Sequence, residues 1–243
     1  MRKVQRDSSS AFSGEVAIAN PKATLIGDLE VPVPATGLVL FAHGSGSSRK
    51  SPRNRAVADR LRQAGLATFL LDLLTPEEEA IDQVRGHLRF DIGFLGERLL
   101  SATEWAGRQD VLRGLRMGYF GASTGAAAAL LAAAAVGKDI GAVVSRGGRP
   151  DLAGAALPRV LAPTLLIVGG ADIQVLELNR AALEKLRCEK ELRVVAGASH
   201  LFPEPGALDE VARLAAAWFR RHLGTSEWAP TSSDRLDASV RGE

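Results

Sequence analysis

Short runs of β-branched and other apolar residues alternate along the chain with longer stretches in which apolar positions recur every three or four residues. The first pattern suits strands buried on both faces and the second suits helices that bury one stripe, so their alternation predicts a mostly parallel sheet covered by helices, an α/β fold. Parallel strands are expected at residues 37–42, 67–71, 116–120, 140–144, 164–168 and 191–195. Ahead of them, residues 15–19 and 23–30 flank the turn signal Asn20-Pro21 and suggest an opening antiparallel pair, for about eight strands in all. Helices are expected at 53–64, closed by Gly65, and at 88–108, 178–186 and 208–223. The alanine-rich stretch 126–135 reads as a helix lying close to the sheet, since alanine is the best helix former and the smallest side chain with a Cβ. Residues 145–163 leave room for loops and one short helix but not for a packed cap domain, which needs at least about 50 residues, so an open site is expected. The polar ends, 1–12 and 225–243, read as tails on a single domain at 13–224.

Composition narrows the function. The 243 residues are 46% hydrophobic and 24% charged, the balance of a globular protein. Lys and Arg number 30 against 28 Asp and Glu, and a net charge of +2 lacks the broad basic footprint of a nucleic-acid binder. The single cysteine, Cys188, excludes an internal disulfide and a cysteine-based zinc cluster, and fits a reducing cytoplasm. Met1-Arg2-Lys3 is followed by polar residues rather than an apolar h-region, so no signal peptide is expected. The most apolar stretch, 122–136, contains Ser123, Thr124 and Gly125 and is shorter than the roughly 20 residues that span a bilayer. No membrane partner is expected, and the sequence is compatible with a homo-oligomer.

The sharpest chemical signal is Gly121-Ala122-Ser123-Thr124-Gly125, set between a predicted strand and the alanine-rich helix. A serine in a strained strand-to-helix turn needs small neighbours, and the helix that follows aims its free N–H groups at the place where an oxyanion forms. A serine hydroxyl is a weak nucleophile at neutral pH and needs a histidine held by a carboxylate. Of four histidines, His43, His87 and His222 have ordinary structural explanations, with His222 reading as a solvated residue at a helix end. His200 follows the last predicted strand in a loop at its carboxyl end, where α/β sheets present functional groups. The carboxylate is Asp172, just beyond the strand at 164–168, although Asp at the start of a helix also caps; Asp151 is the second choice. The second oxyanion donor is assigned to Ser45, with Gly44 next, in the loop His43-Gly44-Ser45-Gly46, and Thr124 supplies the first. Arg146 and Arg149 fall on the same edge and suggest a hold on an anionic substrate; Phe202, beside His200, is a candidate pocket wall.

The His43-Gly44 loop, the turn at Ser123, Asp172 in Gly-Gly-Ala-Asp and His200 before Leu-Phe together resemble an α/β-hydrolase, most similar to the dienelactone hydrolase family and small bacterial esterases. The resemblance covers about residues 14–223 and shares the order Ser, Asp, His. It implies a serine hydrolase that opens small ester or lactone substrates through an acyl-enzyme, without metal or organic cofactor. Dienelactone hydrolases proper carry cysteine at the elbow where this chain has Ser123, so their substrate does not carry over. Similar modules occur joined to phosphoribosyltransferase domains, for which this chain has no residues left. Two other readings compete. Residues 44–51, ending Arg49-Lys50-Ser51, nearly match a phosphate-binding loop and would make the protein a nucleotide-binding ATPase, but Arg49 stands where that loop needs glycine. The third reading is an inactive hydrolase fold used for binding.

Overall fold

The computed structural model describes residues 10–20 and 23–224, so the expected tails at 1–9 and 225–243, and Pro21 of the expected turn, lie outside the described residues. Eight strands form one sheet in the order β1-β2-β4-β3-β5-β6-β7-β8. β1 (Ser10–Asn20) and β2 (Ala23–Pro32) are the antiparallel pair, and β2 also runs antiparallel to β4 (Ala67–Leu71). From β4 through β3 (Leu38–Ala42), β5 (Met117–Ala122), β6 (Ile140–Arg146), β7 (Thr164–Gly169) and β8 (Lys190–Val195) all neighbours are parallel. Ser10 and Phe12 pair with Pro32 and Val31, so residues 10–12, expected in the tail, belong to the sheet.

The two-residue period of the strands divides the core. Leu38, Leu40 and Ala42 of β3 join one apolar cluster with α3 (Ile92–Gly107) and α4 (Thr124–Val136), while Val39 and Phe41 join the other, with α1 (Pro52–Gln63) and α6 (Ala207–Leu223). β8 departs from the expectation of burial on both faces: as the edge strand beyond β7 it exposes Lys190, Arg193 and Val194, and only Val195 is buried. A further helix, α2 (Pro76–Arg85), which apolar periodicity does not predict, lies between β4 and α3. Its signal was legible: Thr75 caps the Glu78 N–H while Glu78 bonds back to the Thr75 N–H, with Pro76 at the first helical position. The expected helix at 88–108 is broken at Asp91, which ends a 3-10 turn at Leu88–Phe90 and caps α3. Between β6 and β7 the chain forms 3-10 turns at Pro150–Arg159 rather than an inserted domain. Among the described residues no helix is long and apolar enough to cross a membrane.

Two local contacts fix the edge where the strands end. Gly125 lies against the carboxyl end of β3 so closely that a Cβ would stand 2.2 Å from the Ala42 carbonyl oxygen and 2.4 Å from that of His43. His43 begins the loop beyond β3; its Nε2 accepts the Leu73 N–H (3.1 Å) and its Nδ1–H donates to the Gly44 carbonyl (3.0 Å), which defines a neutral ring tying this loop to the end of β4. Burial lowers the His43 pKa below its ordinary 6.5.

Gly125→Ala is expected to destabilise the protein by about 3 kcal/mol, because the added methyl meets strand backbone that cannot move aside; urea unfolding measures it. For His43, the unfolded ring gains a proton as pH falls through its ordinary value while the folded ring does not. The stability it contributes is therefore complete above that pH and lost as pH falls below it. His222 shifts in the same direction, again mainly through burial, so the His43 share is isolated by variant. His43→Gln is expected to flatten the fall of Tm between about pH 7.5 and 5, and a slope equal to wild type would refute the linkage.

Candidate active site

Ser123 makes the whole turn from β5 into α4 by itself, at φ 51° and ψ −123°. A non-glycine residue held there carries about 1–3 kcal/mol of strain, which persists only when surrounding contacts determine it. Those contacts are backbone: the Ser123 N–H donates to Arg146 (3.3 Å), and its carbonyl accepts from Ala126 (3.1 Å) and Arg149 (3.0 Å). Crowding accounts for the glycines around it. A Cβ on Gly121 would lie 2.4 Å from Ala126 Cα, and one on Gly44 would lie 2.8 Å from Ser123 Cβ.

Asp172 and His200 come from the two neighbouring strand ends. The turn after β7 and the loop after β8 are stitched together by Gly170 N–H to Val195 (2.8 Å) and Ala171 N–H to Ala198 (2.9 Å), with Gly169 pressed on the Ala198 carbonyl. Asp172 occupies the N-cap position of α5 (Ile173–Lys185), yet its side chain makes no capping bond. Its Oδ2 accepts instead from His200 Nδ1, at 2.7 Å, which sets the tautomer and leaves Nε2 as the free basic nitrogen. The Asp172 side chain is 15% exposed and that of His200 38%, so the carboxylate is sheltered and the imidazole reaches solvent. Asp151, the second choice, is bound to Arg149 through both carboxylate oxygens (2.9 and 2.8 Å).

Consecutive residues link the serine to the histidine. Arg146 holds the Ser123 N–H, and a Cβ on Gly147 would lie 3.0 Å from the His200 carbonyl oxygen and 3.7 Å from its Cε1. Asn179, buried in α5, donates to the Gly148 carbonyl at 2.9 Å and braces this loop from below. Among the described residues no hydrogen bond joins Ser123 Oγ to His200; such contacts commonly tighten only when substrate is bound.

On the other side of Ser123, the Thr124 hydroxyl accepts the Ser45 N–H (3.1 Å) and pairs with the Ser45 hydroxyl (3.0 Å). The Ser45 amide assigned to an oxyanion is therefore already bonded to Thr124, which locks the loop to the first turn of α4. Beside Ser45 and Thr124 opens a cavity of about 160 Å³ whose far wall comes from Leu74, Glu79, Gln83 and Leu95. Glu79 and Gln83 stand on α2, so the capping box at Thr75 that starts this helix also sets the pocket.

Three expected substrate contacts lie elsewhere. Arg146 is only 7% exposed and points into the core, Arg149 is engaged by Asp151, and neither lines the cavity, whose charged lining is Asp72, Glu79, Asp82 and Arg89. Phe202 is 2% exposed and packs in the α1 and α6 cluster, supporting the His200 loop from beneath rather than walling a pocket. His222 is likewise not solvated: its side chain is 11% exposed and its ring packs on Trp218 at 4.5 Å. Cys188 is half-buried with its thiol pKa raised by burial, the reverse of an activated nucleophile. The Arg49 side chain, in the segment that resembled a phosphate loop, is paired with Glu15, Asp28 and Asp72.

No family model matches the chain. Two curated proteins of Mycobacterium tuberculosis, strains CDC 1551 and H37Rv, provisionally named phosphoribosyl transferases, are each 54% identical over 209 residues. That match takes in 86% of this chain and 46% of theirs, so the chain spans about half the length of these relatives. The solved structure of an α/β serine hydrolase without lid, XC6422 of Xanthomonas campestris, superposes with a TM-score of 0.70 at 22% identity over 88% of this chain and 96% of that one, a likeness of fold. A dienelactone hydrolase of Anabaena variabilis superposes with a TM-score of 0.85 at 58% identity, over 87% of this chain and 98% of that one. Identity at that level along nearly a whole relative extends beyond architecture to descent, and the chain belongs to the dienelactone hydrolase family of α/β-hydrolases.

Proposed function

We propose that the protein is a serine hydrolase that cleaves small carboxylic esters or lactones through an acyl-enzyme on Ser123. His200 Nε2 takes the Ser123 proton as Oγ attacks the acyl carbonyl, and Asp172 holds the ring and supports the imidazolium that forms. The Thr124 N–H, in the first turn of α4 and without an intrahelical acceptor, binds the developing oxyanion. The Ser45 N–H is the second donor, shared between the Thr124 hydroxyl and the oxyanion as a three-centre bond. His200 then protonates the leaving alcohol and activates the water that releases the acyl group. The acyl or alcohol portion lies in the cavity beside Ser45.

The observation that carries this reading is the Asp172 carboxylate. At a helix start, where an aspartate ordinarily caps, it forgoes the cap and takes His200 Nδ1 at 2.7 Å, on the edge where Ser123 is held in a strained turn. With Arg149 engaged by Asp151 and Arg146 buried away from the cavity, neither offers a free guanidinium to an anionic substrate there.

Incubation with a fluorophosphonate is expected to add one adduct, mapped to Ser123 by intact mass and peptide analysis, alongside turnover of a short p-nitrophenyl ester. Ser123→Ala should abolish the adduct and lower turnover at least about 10⁴-fold, and Cys188→Ser should leave both unchanged. No adduct and no turnover in folded protein would make the chain a binding module on a hydrolase fold. Asp172→Asn is expected to lower kcat by about 10⁴-fold by losing the tautomer that leaves Nε2 free, whereas Asp151→Asn should change it little; steady-state kinetics on the same ester distinguishes the two carboxylates.

A further inference from the structure

Arg146 is a buried charge that ester hydrolysis does not use. It ends β6, and the strand period turns its side chain to the face of Ala142 and Val144, which pack in the cluster beneath α1 and α6. The residue is 7% exposed, and its Nε and Nη1 are buried without a hydrogen-bond partner. A guanidinium in such a place is ordinarily met by a carboxylate, because an uncompensated buried charge is strongly destabilising. Here the neighbouring charge is another cation, Arg53. Burial first, and the Arg53 charge second, bring the Arg146 pKa down to about 10, so the group remains protonated at neutral pH. Arg53 lies in the first turn of α1, its Nε is also buried without a partner, and that turn contains no acidic residue. The amino end of α1 adds the positive pole of a 12-residue helix.

Two guanidinium groups near enough to repel, each with buried nitrogens left unpaired and, among the described residues, no carboxylate paired to either, form the donor set of an anion site. We infer that Arg53 and Arg146 together hold a compact oxyanion, a phosphate or phosphoryl group, at the amino end of α1. A doubly charged anion offsets both cations at once, and its several oxygens can accept from both planar forks, as no single carboxylate could. The site lies directly behind the proposed nucleophile, because the carbonyl of Arg146 accepts the Ser123 N–H. Its occupant therefore steadies the strand end on which the Ser123 turn is hung. The inference stands on these arginines alone and holds whether or not Ser123 is acylated.

Thermal unfolding tests it, with millimolar inorganic phosphate exchanged against sodium chloride at constant ionic strength, and glycerol phosphate in a second series. Wild type is expected to show a saturable rise in Tm with phosphate. A rise with glycerol phosphate as well would identify the ligand as a phosphoryl group entering past Arg53; a rise with phosphate alone would identify an enclosed free anion. Arg53→Gln, on a half-buried helical position that tolerates the change, should abolish the rise. Arg146→Met should abolish it too and, having lost an unpaired buried charge, melt no lower than wild type without phosphate. Equal Tm in phosphate and chloride for wild type, or a full rise retained in Arg53→Gln, would overturn the inference.

Discussion

The carboxyl ends of β3 and β5 and the first turn of α4 meet backbone to backbone, with no side chain between them. Gly125 sits where any Cβ would strike the carbonyls of Ala42 and His43, and Gly121 where one would strike Ala126. That contact presses a 13-residue helix, almost wholly alanine and leucine, end-on against the sheet, and it leaves a single residue to make the turn. Ser123 consequently takes a conformation a side-chain-bearing residue seldom adopts, and its side chain stands out from the strand edge instead of burying in either layer. The placement of the serine is thus a by-product of how closely a helix can approach two strands.

Everything around the serine is arranged to keep that turn from relaxing. Arg146 and Arg149 grip its backbone from the β6 side, Gly44 closes over it from the β3 side, and Thr124 fastens the β3 loop by accepting the Ser45 N–H. His43, which precedes Ser123 in the chain, is a tether: both ring nitrogens are committed to backbone and burial keeps it neutral. His200 differs in having one nitrogen fixed by a carboxylate and the other free. Two histidines in comparable positions after a strand are separated by what their second nitrogen touches.

Charge is distributed unevenly around this edge. The cavity beside Ser45 is lined by Asp72, Glu79 and Asp82 with Arg89, which pairs with Asp82, whereas the buried nitrogens of Arg53 and Arg146 without partners belong to the layer under α1. Arg146 and Arg149 lie at the strand edge expected of substrate contacts, but neither presents a free guanidinium to the cavity. Residue order places both at the carboxyl end of β6, but strand period turns Arg146 inward, and Asp151, two residues on from Arg149, occupies the other guanidinium.

The sequence by itself determined the layer architecture, the antiparallel opening pair, all six parallel strands to within two residues, and the positions of Ser123, Asp172 and His200 at strand ends. These follow from period and from glycine, which act locally: a strand buried on both faces has to be apolar throughout, and a crowded turn has to be flanked by residues without side chains. The short capped helix α2 was written in Thr75-Pro76-Glu77-Glu78, but with too few apolar positions for a helical period to stand out. What only the tertiary structure decided were the pairings between distant residues. That Asp172 meets His200 rather than capping its helix, that Phe202 supports the site instead of walling it, and that Arg146 is buried without a hydrogen-bond partner are consequences of how adjacent loops and layers close on one another. Those distances run across the sheet, and a one-dimensional pattern carries the period of each strand but not the identity of the group it comes to face.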